Sequence, residues 1–306
     1  MSVKIVVLTK TVSLVFRCLL TIIEKTSFLN YSIDVVLHNV HSDRIDDFAD
    51  RVKFYSYNGK FNFSTINNWM VGQSGKNSDF ILFLNDDTTV ISESWLGSMI
   101  ELFRDERVAV VGAKLLYPDN SIQHAGLILG RNDVSGKNTI TSHWHKHLPN
   151  SWGGYRNAPH TIREVSAVTG ACMMVRREIF EKVGGFDENL AVAFNDVDFC
   201  LKVRAAGYKV IYAPNVVLYH HESLSRGSDR AKKNRDRLSR EIAYMKKKWS
   251  STLDQDPFMD SSLIPNPKNP FIRLRSVIYT RLFSKQWFRP LIPYILPLLR
   301  IKGMGF

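Results

Sequence analysis

A chain of 306 residues with 44% hydrophobic and 23% charged side chains has the material for one large α/β domain with an appendage, or for two small domains with real cores. Its three cysteines, Cys18, Cys172 and Cys200, stand far apart in no paired spacing, which argues against a disulfide framework or a zinc site and for a reducing compartment. The net charge of +12 is unevenly placed, since residues 261–306 hold eight basic side chains and no acidic one.

Residues 3–8 read as a first core strand, because the apolar run is far too short for a membrane span and no small-residue cleavage site follows; a cytoplasmic protein is expected. Residues 11–25 form a helix in which Leu14, Val15, Cys18, Leu19 and Ile22 recur at helical spacing. A second strand over 33–37, a short helical segment over 43–50, a third strand over 52–56 with an Asn58-Gly59 turn, and a helix over 63–72 follow. This alternation predicts a parallel, Rossmann-like sheet. No glycine-rich phosphate loop accompanies it, so any diphosphate would be held through a metal rather than a helix N-terminus.

In FILFLNDDTT, residues 80–89, five apolar residues run straight into Asn85-Asp86-Asp87. A short, wholly apolar run reads as a buried strand delivering acids to the C-terminal edge of a parallel sheet, where open α/β sheets bind ligands. Two adjacent carboxylates there suit Mg²⁺ or Mn²⁺ carrying a diphosphate; equally, they would serve as a polar strand-to-helix turn with Asp as a helix cap. Ser92 is the expected N-cap of a helix running to Arg104, with Glu93 in its first turn, and 108–111 is another buried strand. From 115 to 161 the pattern gives way to Gly, Pro, His and Asn, the mark of a long insertion beside a site. Within it His143, His145 and His147 alternate, so on a strand they would share a face as a metal site or acceptor-binding edge; in a loop they would be solvated.

Residues 165–175 read as a strand containing Thr169-Gly170, and 176–183 as a short helix ended by Gly184-Gly185. Val197, Cys200, Leu201 and Ala205 then form one face of a helix ended by Gly207, which places Asn195 and Asp196 at its N-terminus. Asp196 is there either a carboxylate available for chemistry or an N-cap, and Asp198 reads as an acid favoured by the helix dipole. Residues 210–212 and 216–220 are two further short strands, the second delivering His220-His221-Glu222 to an edge. In the basic tail Ile278, Leu282, Phe283, Trp287, Phe288 and Leu291 interleave with arginine and lysine, as in surfaces that lie on anionic lipid. It does not read as a span, since Arg289, Pro290, Pro293 and Pro297 interrupt it. Packing onto its own domain is the alternative, and the large aliphatics argue against nucleic acid.

FNFSTINNW (61–69), ILFLNDDTTVIS (81–92), QHAG (123–126), the stretch from VSAVTGACMMV through FNDVDFCLKVRAAGY (165–208) and LYHHESLSRG (218–227) together resemble family 2 glycosyltransferases of the GT-A fold, in particular the bacterial rhamnosyltransferase-like, surface-polysaccharide branch. The resemblance implies an α/β fold with a mostly parallel, Rossmann-like central sheet flanked by helices. It also implies a catalytic domain over 1–230, a helical extension over 231–272 and a basic amphipathic tail over 273–306. By the same resemblance Asp87, with Asp86 beside it and His220 joining the shell, holds Mn²⁺ or Mg²⁺, and Asp196 is the general base. Thr9, His38, Asn39, Asn68, Asn85 and Asp86 would face the donor, and Thr169, Gly170, Ala171, Asn195, His221 and Arg226 the sugar or acceptor. His38 stands where the family usually carries Asp, and Leu8-Thr9-Lys10-Thr11 lacks the family's usual Pro. Lys246-Lys247-Lys248-Trp249 is similar to the Q-x-x-R-W element of processive relatives, but Met245 and Lys248 occupy the Gln and Arg positions, so few transfers per encounter are expected.

The implied activity is metal-dependent inverting transfer of a hexose or deoxyhexose such as rhamnose from a nucleoside diphosphate sugar. The acceptor would be a surface glycan, lipid-linked, at the inner face of the cell membrane, with no nucleic-acid partner. Such chemistry needs a carboxylate base on one side of the anomeric carbon and neutralised phosphate charge on the other. The alternative reading is a non-catalytic nucleotide- or carbohydrate-binding subunit of a polysaccharide assembly complex.

Overall fold

A computed structural model describes residues 1–41, 45–48, 50–73, 75, 77–130, 140–153, 155–221 and 234–259. The chain opens with β1 (Val3–Thr9), α1 (Val12–Lys25), β2 (Tyr31–His38), β3 (Val52–Tyr57) and α2 (Phe63–Gln73), with a 3₁₀ turn at Ile45–Phe48 inside the expected helical segment. Next come β4 (Phe80–Asn85), β5 (Thr88–Val90), α3 (Trp95–Leu102) and β6 (Val108–Leu116). The insertion contributes β7 (Ile122–His124), β8 (Leu127–Leu129) and β9 (Thr141–His143). The remainder is β10 (Arg163–Glu164), β11 (Cys172–Arg176), α4 (Arg177–Lys182), α5 (Asn195–Ala205), β12 (Lys209–His220) and α6 (Arg235–Trp249).

The main sheet has the order β10-β12-β6-β11-β4-β1-β2-β3, with β5 added to β12 and β7 to β6. The first half is parallel as expected, β4-β1-β2-β3. Its central strands carry apolar residues on both faces: Ile5 and Val7 of β1 with Leu82 and Leu84 of β4 pack against α1 and α3, while Val6, Ile81 and Phe83 face α2 and α5. Burial on both faces is what makes such strands unbroken hydrophobic runs.

Three expectations are corrected, and one reading left open between a strand face and a loop is decided. The run 165–175 is not one strand: Val165 donates to Val210 of β12, Ala167 bridges Leu127, and only from Cys172 does the chain enter the sheet as β11, antiparallel to both β4 and β6. The two short strands at 210–220 are one, β12, with a register shift between Ala213 and Val217. Pro214 within that stretch has no N–H to give the ladder, and a bulge absorbs the skipped bond. β4 leads into β5 rather than directly into a helix, and α3 begins at Trp95 with no side-chain cap from the preceding residue. The indole of Trp95 is fully buried and donates to Thr26 Oγ1 at 3.0 Å, so packing rather than Ser92 sets the helix start. Finally, the three histidines do not share a strand face. β9 ends at His143, and His145 and His147 have φ of 64° and 69°, a left-handed backbone no strand contains. His145 stacks on Trp144 and His147 on Tyr117.

Candidate functional site

The ends of β4 and β12 are brought together by a tight turn. After Asn85 the chain turns at Asp86-Asp87, closed by the Thr88 hydroxyl donating to the Asn85 carbonyl at 2.8 Å, and returns as β5 along β12, where Thr88 pairs with His220. The His221 amide donates to the Asp87 carbonyl at 3.0 Å, locking the two edges. Both carboxylates are thereby buried, at 5% exposure for Asp86 and 3% for Asp87. Asp86 Oδ2 accepts the Thr9 hydroxyl at 2.6 Å, yet burial, opposed by that bond and reinforced by the charge of Asp87, pushes its carboxyl up to about 6. At Asp87 burial also works upward, but the close His220 imidazole and a backbone amide outweigh it and hold the group below its ordinary value. Asp87 Oδ1 lies 3.0 Å from His220 Nε2, off the line of a hydrogen bond, so this buried oxygen has no hydrogen-bond donor. Asn85 Nδ2 lies 3.3 Å from the same Nε2.

The second carboxylate cluster is built at the start of α5. Phe194 takes a left-handed φ of 64° just before the helix, and the Asn195 side chain receives the Asp196 amide at 2.8 Å. Asp196 Oδ2 accepts the Gly170 amide at 2.9 Å and its Oδ1 the Val197 amide at 2.8 Å. The next residue, Ala171, accepts the Asn85 amide at 3.0 Å. One dipeptide, Gly170-Ala171, therefore joins the Asp196 cluster to the end of β4.

Behind this cluster stands α6. Asp198 is completely buried and accepts Trp249 Nε1 at 2.8 Å, with Lys248 Nζ at 2.7 Å. Lys248 Nζ also meets Asp187 Oδ2 at 2.6 Å, which accepts the Tyr244 hydroxyl at 2.8 Å, and Glu241 receives the Val192 and Ala193 amides at 2.9 and 3.3 Å. Asp198 is thus an ion-pair partner as well as a first-turn acid, and Lys248-Trp249 is committed to α5 and the loop that leads into it.

His38 and Asn39 lie elsewhere, at the ends of β2 and β3. His38 Nε2 donates to the Gly59 carbonyl at 3.0 Å, and Asn39, with φ of 53°, exchanges two hydrogen bonds with Gly59 at 2.8 and 2.9 Å. The His38 ring sits between Tyr57 and Phe61, and burial together with the nearby Lys10 charge lowers its pKa. Asn68 holds the loop before α5, donating to the Phe186 carbonyl at 2.9 Å and accepting the Phe186 amide at 2.9 Å. His221 Nε2 meets Thr89 Oγ1 at 3.2 Å, and Thr169 Oγ1 accepts the Ala171 amide at 3.4 Å. Arg226 and the tail lie outside the described residues.

Two residues of the QHAG stretch that received no role from sequence are part of the site. Gln123 Oε1 is 2.5 Å from His220 Nδ1. His124 Nε2 accepts the Gly126 amide at 3.3 Å and approaches that of Thr169 at 3.5 Å, so its proton sits on Nδ1, facing His143 Nδ1 at 3.0 Å. Complete burial, then the neighbouring His143 and Arg163 charges, push His124 well below its ordinary pKa, so it is neutral. Their only sequence signal was the match of the four-residue stretch.

Residues 47–240 match the family model described as "Glycosyltransferase like family 2". The uncharacterized protein y4gI of Sinorhizobium fredii is 39% identical over 251 residues, covering 79% of this chain and 27% of its own length. The O-antigen biosynthesis protein RfbC of Myxococcus xanthus is 34% identical over 220 residues, 68% of this chain and 16% of that protein. A shorter match, 39% over 69 residues and 22% of each chain, joins it to an N-acetylglucosaminyl-diphospho-decaprenol L-rhamnosyltransferase of Mycobacterium tuberculosis. The chain thus spans about a quarter or less of these relatives. In fold it is similar to the structure of GalNAc-T7 with UDP, GalNAc and Mn²⁺, at a TM-score of 0.58 and 15% identity over 97% of this chain and 57% of that one.

Proposed function

The chain belongs to glycosyltransferase family 2, whose members are inverting enzymes, and carries the GT-A fold; from that premise we propose that it moves a hexose or deoxyhexose, such as rhamnose, from a nucleoside diphosphate sugar to a bacterial surface-glycan acceptor. The names of the O-antigen and rhamnosyltransferase relatives support the sugar and acceptor classes. The observation that carries the reading is the Gly170-Ala171 link, which ties the Asp196 carboxylate to the strand end bearing Asp87 and His220. A base and a charge-neutralising site on one rigid connection is what an inverting displacement requires.

The residues fit a divalent cation. Asp87 Oδ1 is a buried carboxylate oxygen with no hydrogen-bond donor, facing an imidazole nitrogen at 3.0 Å, an oxygen and nitrogen donor set suited to Mn²⁺ or Mg²⁺. Asp87 and His220 would hold the ion, with Asp86 beside them, and the ion would neutralise the departing diphosphate. Asp196 accepts the proton of the acceptor hydroxyl. The Gly170 and Val197 amides fix its plane, one on each carboxylate oxygen. Thr169, Gly170, Ala171, Asn195 and His221 border the acceptor side. Thr9, Asn85 and the His38-Asn39 corner face the donor, while Asn68 acts through the loop it holds. An aspartate is a weak proton acceptor, so most of the acceleration comes from positioning and from the leaving-group side.

The acceptor is proposed to be lipid-linked, with the basic, aliphatic tail attaching the enzyme to the inner membrane face. Among the described residues no helix is long and apolar enough to cross a membrane. The test is release of nucleoside diphosphate from a panel of dTDP-rhamnose, UDP-glucose, UDP-galactose and GDP-mannose, with and without Mn²⁺. Metal-dependent turnover of one donor, reduced by both Asp87→Ala and Asp196→Asn, is expected; no binding of any donor would sink the reading.

A further inference from the structure

We propose that Gln123 is a positioning residue that fixes the His220 imidazole with its proton on Nδ1, so that Nε2 is presented, together with Asp87, to a divalent cation. The proposal rests on the metal-dependent reading above. Gln123 is the middle residue of β7, 3% exposed, between completely buried Ile122 and His124, and β7 is held on β6 by the pairs Leu115–His124 and Leu116–Ile122. A side chain so placed has little freedom to choose its partners.

An amide has one donating end and one accepting end, and here the backbone decides which is which. Gln123 Nε2 lies 3.2 Å from the His220 carbonyl oxygen, which can only accept, so the NH₂ group is fixed on that side. The amide oxygen is therefore turned to the ring, 2.5 Å from Nδ1, and Nδ1 must be the donor. With the Nδ1 proton so engaged, the ring directs Nε2 at Asp87 Oδ1, 3.0 Å away, with the Asn85 amide group at 3.3 Å. A positive centre, proton or cation, belongs between Nε2 and a carboxylate oxygen at that separation, and Gln123 determines that Nε2 is the ring atom offered to it. Partners of this kind set the tautomer and orientation of metal-binding histidines. Glutamate at this position would accept from Nδ1 too, but it would add a third negative charge beside buried Asp86 and Asp87. The amide supplies the acceptor without that charge.

The test is Mn²⁺ binding to the full, metal-free chain, read from the EPR signal of free Mn²⁺, for the native protein, Gln123→Leu, Gln123→Glu, His220→Gln and the Gln123→Leu/His220→Gln pair. Gln123→Leu is expected to weaken Mn²⁺ by about 10- to 100-fold. Gln123→Glu, which keeps an acceptor for Nδ1, is expected to bind at least as tightly as native, and it remains informative should the leucine variant fold poorly. In the His220→Gln background, Gln123→Leu is expected to add no further loss. Native-like binding by Gln123→Leu, an equal loss in Gln123→Glu, or an undiminished loss in the His220→Gln background would each overturn the proposal while leaving the glycosyltransferase reading intact. Absence of Mn²⁺ binding by the native chain, with or without added nucleoside diphosphate, would instead remove the metal reading itself and the proposal with it.

Discussion

Asp87 and Asp196 are both aspartates at the ends of secondary structure, joined through Gly170-Ala171, but their surroundings are opposite. Asp196 is oriented by two backbone amides, with α6 bracing its loop from behind. Asp87 is 3% exposed and keeps an oxygen with no hydrogen-bond donor, beside a second carboxyl that burial has pushed up to about 6. One side is preorganised by the fold alone, whereas the other carries an electrostatic demand that a ligand must meet. Stability and activity should therefore separate differently on the two sides.

The largest effects divide the two carboxylates by function. Asp196→Asn is expected to slow transfer by about 10²- to 10⁴-fold with Mn²⁺ affinity unchanged, whereas Asp87→Ala should abolish both, as measured by donor turnover and Mn²⁺ titration. If the two variants lost Mn²⁺ equally, the contrast between them would fail. Next in size is the brace. Lys248→Met leaves the Asp198 carboxylate buried without its ammonium partner and is expected to cost about 3–5 kcal/mol in urea unfolding. A loss under about 1 kcal/mol would show that Trp249 alone suffices.

A smaller effect, of opposite sign, sharpens the other side. A carboxyl whose folded pKa lies above its ordinary 3.8 is favoured by folding in its protonated form, so the penalty is absent below that value and complete above about 6. Asp86→Asn should therefore stabilise the metal-free protein at pH 8 by up to about 3 kcal/mol, while weakening Mn²⁺ binding. The gain should shrink toward zero at pH 4, and a variant less stable than native at pH 8 would contradict it.

The Asp87 end was legible in the sequence because an unbroken apolar run ending in acids can hardly be other than a buried strand reaching a sheet edge. Asp196 was legible because Val197, Cys200 and Leu201 set the helical phase. The direction of β11 was not, since periodicity carries no strand polarity and the turn at Gly170-Ala171 is hidden inside an apolar stretch. Residues 210–212 and 216–220 read as two strands where the structure has one, with a bulge at Pro214. Alternating histidines left a strand face and a loop both open, and the left-handed backbone at His145 and His147 excludes the strand face. Gln123 and His220 meet across 97 residues, a contact no local pattern encodes. At 245–249 the sequence showed only a departure from the processive Q-x-x-R-W element, with no sign that Lys248 bridges Asp187 and Asp198.

Sequence similarity to the family model stops at residue 240, one position before Glu241. A fragment cut there would retain every proposed ligand and the base, yet the Val192 and Ala193 amides would lose their acceptor and Asp187 and Asp198 their counter-charge. The end of the family-model match is therefore not the boundary of the folding unit. Residues 187, 198 and 248 work as one unit: a chimera that replaces α6 should fold only when the loop and the start of α5 that it grips travel with it.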